Sequence, residues 1–124
     1  MLSLRPDAGP DVLGPREIAA WQAPAGLVTL SGCAAGDADA LPGSGLMGMT
    51  RAWLAAGAGA VVATRWATPD DSGTFFRAFY RRLREATGAG PAAALARAQV
   101  DMIHDQAPRS DPRFWGGFFM VANQ

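Results

Sequence analysis

Two short apolar runs with a helical stretch between them constrain the fold of this 124-residue chain more than any other feature. Residues 27–31 and 60–64 are each interpreted as a buried strand, because each run is short, apolar and preceded by glycine. The residues between them that recur at helical spacing are Leu46, Met49, Thr50, Trp53, Leu54 and Gly57. We therefore expect a helix over residues 44–56 that crosses between two adjacent parallel strands.

The rest of the chain continues this alternation of helices and strands. Residues 2–4 and 114–121 are interpreted as further strands, and Pro15 begins a short helix. A third helix has apolar side chains on one side and arginines on the other, namely Phe75, Phe76, Phe79 and Leu83 against Arg77, Arg81, Arg82 and Arg84. A fourth helix begins at Pro91 and directs four side chains inward, those of Leu95, Ala98, Met102 and Ile103. The pattern predicts one α/β domain over residues 1–124, with helices on both faces of a mostly parallel sheet.

Charge and cysteine content exclude several classes of function. The eleven basic and eleven acidic residues cancel, so the chain lacks the positive field that favours non-specific binding to nucleic acids or to acidic membranes. No apolar run has the length of a membrane span, and no signal peptide is visible. The single cysteine, Cys33, excludes an internal disulfide and is typical of a reducing compartment, so we expect a cytoplasmic protein.

Cys33 is the first candidate catalytic residue. It follows the first buried strand by two residues, and ligands and catalytic groups gather at the carboxyl edge of such sheets. From position alone, Cys33 is equally well interpreted as a nucleophile or as a small buried apolar residue. A cysteine nucleophile requires a base, and the only histidine is His104. It lies on the charged face of the fourth helix, which we expect to face solvent.

Two other features allow different interpretations. Gly43, Gly45 and Gly48 form a G-x-G-x-x-G pattern at the start of a helix, which is typical of dinucleotide binding. That site requires the glycines directly after the strand, whereas about ten residues separate Ser31 from the pattern. A small nucleotide-binding domain is therefore kept as an alternative. Asp70 either caps the third helix or forms an acidic wall for a basic substrate side chain, and both roles are compatible.

Several short motifs follow one another in a fixed order along the chain. Residues 27–33 (LVTLSGC) lead to the cysteine, residues 43–49 (GSGLMGM) begin a helix, and residues 56–66 (AGAGAVVATRW) contain the second strand. They are followed by residues 79–83 (FYRRL), an alanine-rich helix from Pro91, and residues 114–118 (FWGGF). In this order the motifs resemble the CHAT domain, a caspase- and separase-like cysteine peptidase domain common in bacterial multidomain proteins.

The resemblance implies a three-layer caspase-like sandwich that cleaves a peptide bond with a Cys–His dyad. It makes Cys33 the nucleophile. It gives Asp70, four residues after Trp66, the role of selecting a basic residue before the cleaved bond. It implies no cofactor and no metal.

The resemblance also implies that a catalytic residue is missing from these 124 residues. The family's histidine, followed by a glycine, lies upstream of the strand that residues 2–4 match, so we expect a domain that is incomplete at its N-terminus and inactive alone. Gly32, Ala34 and Ala35 also replace the residues usual in the family beside the cysteine. The chain is thus interpreted as the C-terminal part of a CHAT-type peptidase domain. It would act on a protein or peptide substrate or be completed by a partner chain. The alternative is a non-catalytic scaffold or regulatory module.

Overall fold

Four α-helices and a three-stranded sheet are present in the part of the chain that the computed structural model describes. That part comprises residues 13–31, 45–69, 73–85, 88–106 and 108–123. The helices are α1 (Pro15–Ala19), α2 (Gly45–Ala55), α3 (Gly73–Glu85) and α4 (Gly90–Ile103). The strands are β1 (Val28–Thr29), β2 (Ala60–Thr64) and β3 (Phe118–Ala122), and a 3₁₀ turn over Pro112–Phe114 precedes β3. The predicted strand at residues 2–4 lies outside the described residues.

The sheet has the strand order β1-β2-β3, with β2 in the centre. β1 pairs parallel with β2, with Val28 opposite Val61, and this confirms the predicted β-α-β unit. β3 pairs antiparallel with β2, with Thr64 opposite Phe118, so the described strands form one parallel and one antiparallel pair. The prediction of a mostly parallel sheet is therefore not met within the described residues.

The antiparallel direction of β3 follows from the edge of the sheet at which the strand begins. The chain leaves β2 at its carboxyl end and passes through α3 and α4, which pack against each other, before β3 begins. Phe118, the first residue of β3, lies opposite Thr64, the last residue of β2, so the chain has returned to the carboxyl edge. A strand that starts at this edge runs back along β2, whereas a crossover to the opposite edge would have produced a parallel strand.

Helices cover both faces of the sheet at β2. All five residues of β2 are buried, although successive residues of a strand point to opposite faces. Val62 belongs to the core cluster formed with α3 and α4, whereas Val61 is fully buried outside that cluster. Helix α2 contacts β2 and α1. The pair α1–α2 thus lies on one face and the pair α3–α4 on the other.

The core of the α3–α4 side is built on stacked aromatic rings. Phe75 and Phe79 are fully buried, and the Phe75 ring stacks on Phe118 with centroids 4.5 Å apart and planes 5° from parallel. The opposite face of α3 carries the arginines, as predicted. In α4 the buried residues are Ala94, Leu95, Ala98 and Met102.

Ile103 does not join this core, contrary to the sequence prediction. Its side chain is 52% exposed. The residue follows Met102 directly, and one step along a helix rotates a side chain by about 100° away from the buried stripe. Met102 therefore takes the inward position and leaves Ile103 outside.

A cluster of charged side chains joins α3 to α4. The Asp101 carboxylate accepts two hydrogen bonds from Arg82, at 2.8 Å from Nε and 2.6 Å from Nη2, and one from Arg81 at 3.2 Å. The hydrogen bonds from the Arg82 guanidinium and its charge hold the pKa of Asp101 below its usual range, and Arg81 adds to the effect. The bidentate geometry also fixes the spacing of the two helices.

We expect Asp101→Asn to lower the free energy of unfolding at neutral pH, with a loss that disappears in acid. The depressed pKa means that the charged carboxylate stabilises the fold above its unfolded pKa. This contribution is lost as the pH falls through the folded pKa. Urea unfolding of the unsubstituted chain and of Asp101→Asn, repeated from neutral to acidic pH, measures the difference between their free energies of unfolding. Asp105→Asn is the matched control, because Asp105 pairs with Arg109 in its own segment, at 3.4 Å. A difference in the free energy of unfolding that stays constant with pH would contradict the expectation.

Candidate active site

The candidate residues follow in sequence from the carboxyl ends of the parallel strands β1 and β2. Beyond β1, the amide of Leu30 still donates to the Val62 carbonyl at 2.8 Å. Cys33 follows Ser31, the last described residue of that segment, by two positions, and it lies outside the described residues. Asp70 also lies outside them, directly after Pro69. Both candidates therefore follow in sequence from neighbouring strands that run in the same direction.

Trp66 is a residue at this edge that the sequence analysis did not single out as functional. Its side chain is 43% exposed, yet its indole Nε1 donates to the Arg113 carbonyl at 3.3 Å. Thr64 Oγ1 donates to the Trp66 carbonyl at 2.8 Å. One hydrogen bond thus holds the indole ring and another holds the backbone of Trp66 at the end of β2.

Gly117 makes room for that ring. A Cβ atom at this position would lie 2.8 Å from Thr64 Oγ1 and 2.8 Å from Trp66 Cε2. Neither atom moves easily, because the hydroxyl and the indole are both hydrogen-bonded. The amide of Arg65 also donates to the Gly117 carbonyl at 3.0 Å, which brings the two backbones together. Close packing, and not a special backbone angle, therefore requires glycine here.

Tyr80 connects the third helix to the strand that precedes Cys33. Its hydroxyl donates to Thr29 Oγ1 at 3.0 Å, and its ring packs against Phe79 at a centroid distance of 5.3 Å. Thr29 lies in β1, four residues before Cys33. The position of β1 thus depends in part on α3. The sequence analysis missed this role, since the two residues are 51 positions apart.

His104 lies at the end of α4 and is exposed, as its place on the charged face predicted. Within the described residues, the histidine side chain has no hydrogen bond or ion pair. The structure thus gives His104 no positioning contact of the kind that holds a catalytic base.

Two glycines of the pattern at the start of α2 lie in the described residues. Gly45 is the first residue of α2, and Gly48 lies one turn inside it. A Cβ atom on Gly48 would lie 3.6 Å from Cγ of Pro15, an ordinary van der Waals distance, so Gly48 faces α1 but the contact does not require a glycine. Gly43 lies outside the described residues.

The described residues contain no group of three or more His, Cys, Asp or Glu side chains arranged to hold a metal ion. None of the described helices combines the length and the apolar character needed to cross a membrane.

Comparison with known proteins gives a match at the level of the family. A sequence model of the CHAT domain matches residues 2–123. No curated protein matches the chain, and no solved structure does so either. Since the matched region covers essentially all of the described elements, the chain belongs to the CHAT domain family, a caspase-like peptidase family.

Proposed function

We propose that the chain is the C-terminal part of a CHAT-type cysteine peptidase domain with a caspase-like sandwich fold, in which Cys33 is the nucleophile. The observation that carries the proposal is the parallel pairing of β1 and β2. In sequence, these two strands lead directly to Cys33 and Asp70. A catalytic cysteine needs a reduced thiol, so the cytoplasm is the compartment that suits this function.

The reaction needs a base, and the part of the chain that the structure describes holds no histidine in a positioned form. In a Cys–His dyad the imidazole takes the thiol proton, and the sulfur attacks the carbonyl carbon of the scissile bond. The proton then passes to the leaving amine as the C–N bond breaks, and water hydrolyses the thioester. His104 is exposed, and among residues 13–31, 45–69, 73–85, 88–106 and 108–123 no side-chain hydrogen bond or ion pair orients it. The proposed base is therefore a histidine on a further strand, from an upstream segment or from a partner chain.

The described residues support the site in two ways. Tyr80 holds Thr29, and with it β1, the strand that precedes Cys33 in sequence. Trp66 presents a half-exposed indole just after the end of β2, the strand that precedes Asp70 in sequence. In the proposed site this indole would offer an apolar surface to a protein or peptide substrate.

The test of this function is a domain completed by a strand that carries the family's His-Gly pair, assayed on fluorogenic arginyl peptides. We expect turnover by the completed domain and a loss of several orders of magnitude in Cys33→Ser. His104→Gln is the control, because an exposed histidine outside the dyad should be dispensable. Turnover that survives Cys33→Ser would contradict the proposal.

Asp70 is proposed to select a basic residue before the cleaved bond. In the completed domain, Asp70→Ala should lower kcat/KM for arginyl and lysyl substrates by about ten- to a hundredfold, the equivalent of one charge-assisted hydrogen bond. The loss of an N-cap alone would lower stability by about 1 kcal/mol and leave specificity unchanged. Asp71→Ala is the matched control at the adjacent position. If kcat/KM falls by the same factor for basic and neutral substrates, Asp70 acts only as a helix cap.

A non-catalytic scaffold or regulatory module is the second candidate function. It is favoured by one observation, the exposure of the only histidine at the end of α4. The peptide-hydrolysis assay of the completed domain distinguishes the two candidate functions, because a scaffold would hydrolyse no peptide even with the histidine supplied.

A further inference from the structure

We propose that the groove between α3 and α4, on the side away from the sheet, binds an amphipathic helix whose apolar stripe is flanked by acidic residues. The groove has a volume of about 330 Å³ and is lined by Arg82, Ala96, Arg97, Val100 and Asp101. It lies outside the candidate active site, and the inference does not depend on peptidase activity.

An apolar row along α4 forms the centre of this surface. Ala96, Val100 and Ile103 are spaced by four and three residues and are all exposed, Val100 by 51% and Ile103 by 52%. Side chains with this spacing lie on one face of a helix. The opposite face of α4 packs into the core, so the helix is apolar on two sides. Exposed apolar side chains in a row, next to a groove, are typical of a docking surface and differ from isolated exposed residues.

The charges around this row determine which partner fits. Arg81 and Arg82 share the single carboxylate of Asp101, and Arg82 also pairs with Glu85 at 3.1 Å. Arg97 forms no ion pair within the described residues, although it lines the groove. At the groove and in the ion pairs that its lining residues form, three arginines (Arg81, Arg82 and Arg97) face two acidic residues, Glu85 and Asp101. The rim of the groove is therefore basic and partly uncompensated.

A helix with carboxylates beside its apolar stripe is complementary to this arrangement. Its apolar side chains would cover Val100 and Ile103, and its carboxylates would reach Arg97. A second copy of the chain fits less well, because it would place two basic rims against each other. A nucleic acid would leave the apolar row in water.

The experiment is a selection with a displayed library of helical peptides. The peptides share one leucine stripe, and their flanking positions are Glu, Gln or Lys. We expect the 124-residue chain to enrich Glu at the flanking positions. Arg97→Glu should abolish this preference, and Val100→Glu should weaken capture of the selected peptides by about tenfold or more. Arg77→Glu is the matched control, since it carries the same charge change on the exposed face of α3 outside the groove.

Each alternative has its own outcome. No enrichment of Glu, or an enrichment that survives Arg97→Glu, would overturn the proposal. Loss of the preference in Arg77→Glu as well would assign the effect to overall charge and overturn it too. Self-association in analytical ultracentrifugation that Val100→Glu abolishes would instead assign the surface to a second copy. Circular dichroism of each variant confirms that the helices are retained.

Discussion

The 124-residue chain alone is expected to hydrolyse no peptide, and its Cys33 thiol to react slowly with alkylating agents at neutral pH. A cysteine without a base is only a few per cent thiolate near pH 7. Within the described residues no side chain holds His104 in place, and nothing assigns it to Cys33. Alkylation by iodoacetamide should therefore be slow at neutral pH and rise steeply in the alkaline range, as for an unassisted thiol.

The measurement compares the chain with the domain completed by a His-Gly strand, for both turnover and alkylation rate. Turnover by the chain alone would contradict the expectation. If the chain alone does turn over peptides, His104→Gln tests which residue is the base. Loss of turnover in this variant would identify His104 as the base. Fast alkylation of the chain at neutral pH, without turnover, would point to an activated thiol in an incomplete site.

Phe75→Ala should cost about 3–5 kcal/mol in the free energy of unfolding, which is the usual range for a fully buried phenylalanine. The Phe75 ring is completely buried, stacks on Phe118 at 4.5 Å, and meets Phe76 edge to face at 5.5 Å. A small domain has only about 5–15 kcal/mol of total stability. This single change would therefore leave a large unfolded fraction at 37 °C.

Chemical unfolding followed by tryptophan fluorescence measures this loss. Arg77→Ala is the matched control on the same helix, because its side chain faces solvent, and exposed substitutions change stability by about 0.5 kcal/mol or less. A loss below about 1 kcal/mol in Phe75→Ala would mean that the stacked rings repack around the cavity. It would also show that α3 is held to the sheet mainly by other contacts.

The sequence was sufficient to predict the elements whose side chains follow a clear period. β2 is at the predicted residues, and α2 lies within the predicted range. β1 is shorter than predicted, since an apolar run shows where a strand can form but not how many of its residues find partners. The direction of β3 was not predictable from its own residues, because it depends on the edge of the sheet at which the strand begins. The prediction that Ile103 faces the core was wrong, because Met102, the residue directly before it, occupies the buried position.

The candidate site also contains some residues that the sequence predicted and others that it did not. Cys33 and Asp70 were proposed from motifs and strand ends, and both lie outside the described residues. Trp66 and Tyr80 were not proposed, because their roles arise from partners 47 and 51 residues away in sequence. No local pattern encodes such contacts. They appear only when the sheet is assembled, with β3 on one side of β2 and β1 on the other.

The close approach at Gly117 has a consequence for how this chain can change in evolution. Positions 64, 66 and 117 share one small volume, so the effect of a substitution at any of them depends on the residues at the other two. Alanine at 117 is disfavoured while Trp66 and the Thr64 hydroxyl are present. It becomes tolerable only if both neighbours shrink, which also removes the aromatic ring from the sheet edge. Positions 64, 66 and 117 are therefore epistatic, and a change at one of them has to be accompanied by changes at the others.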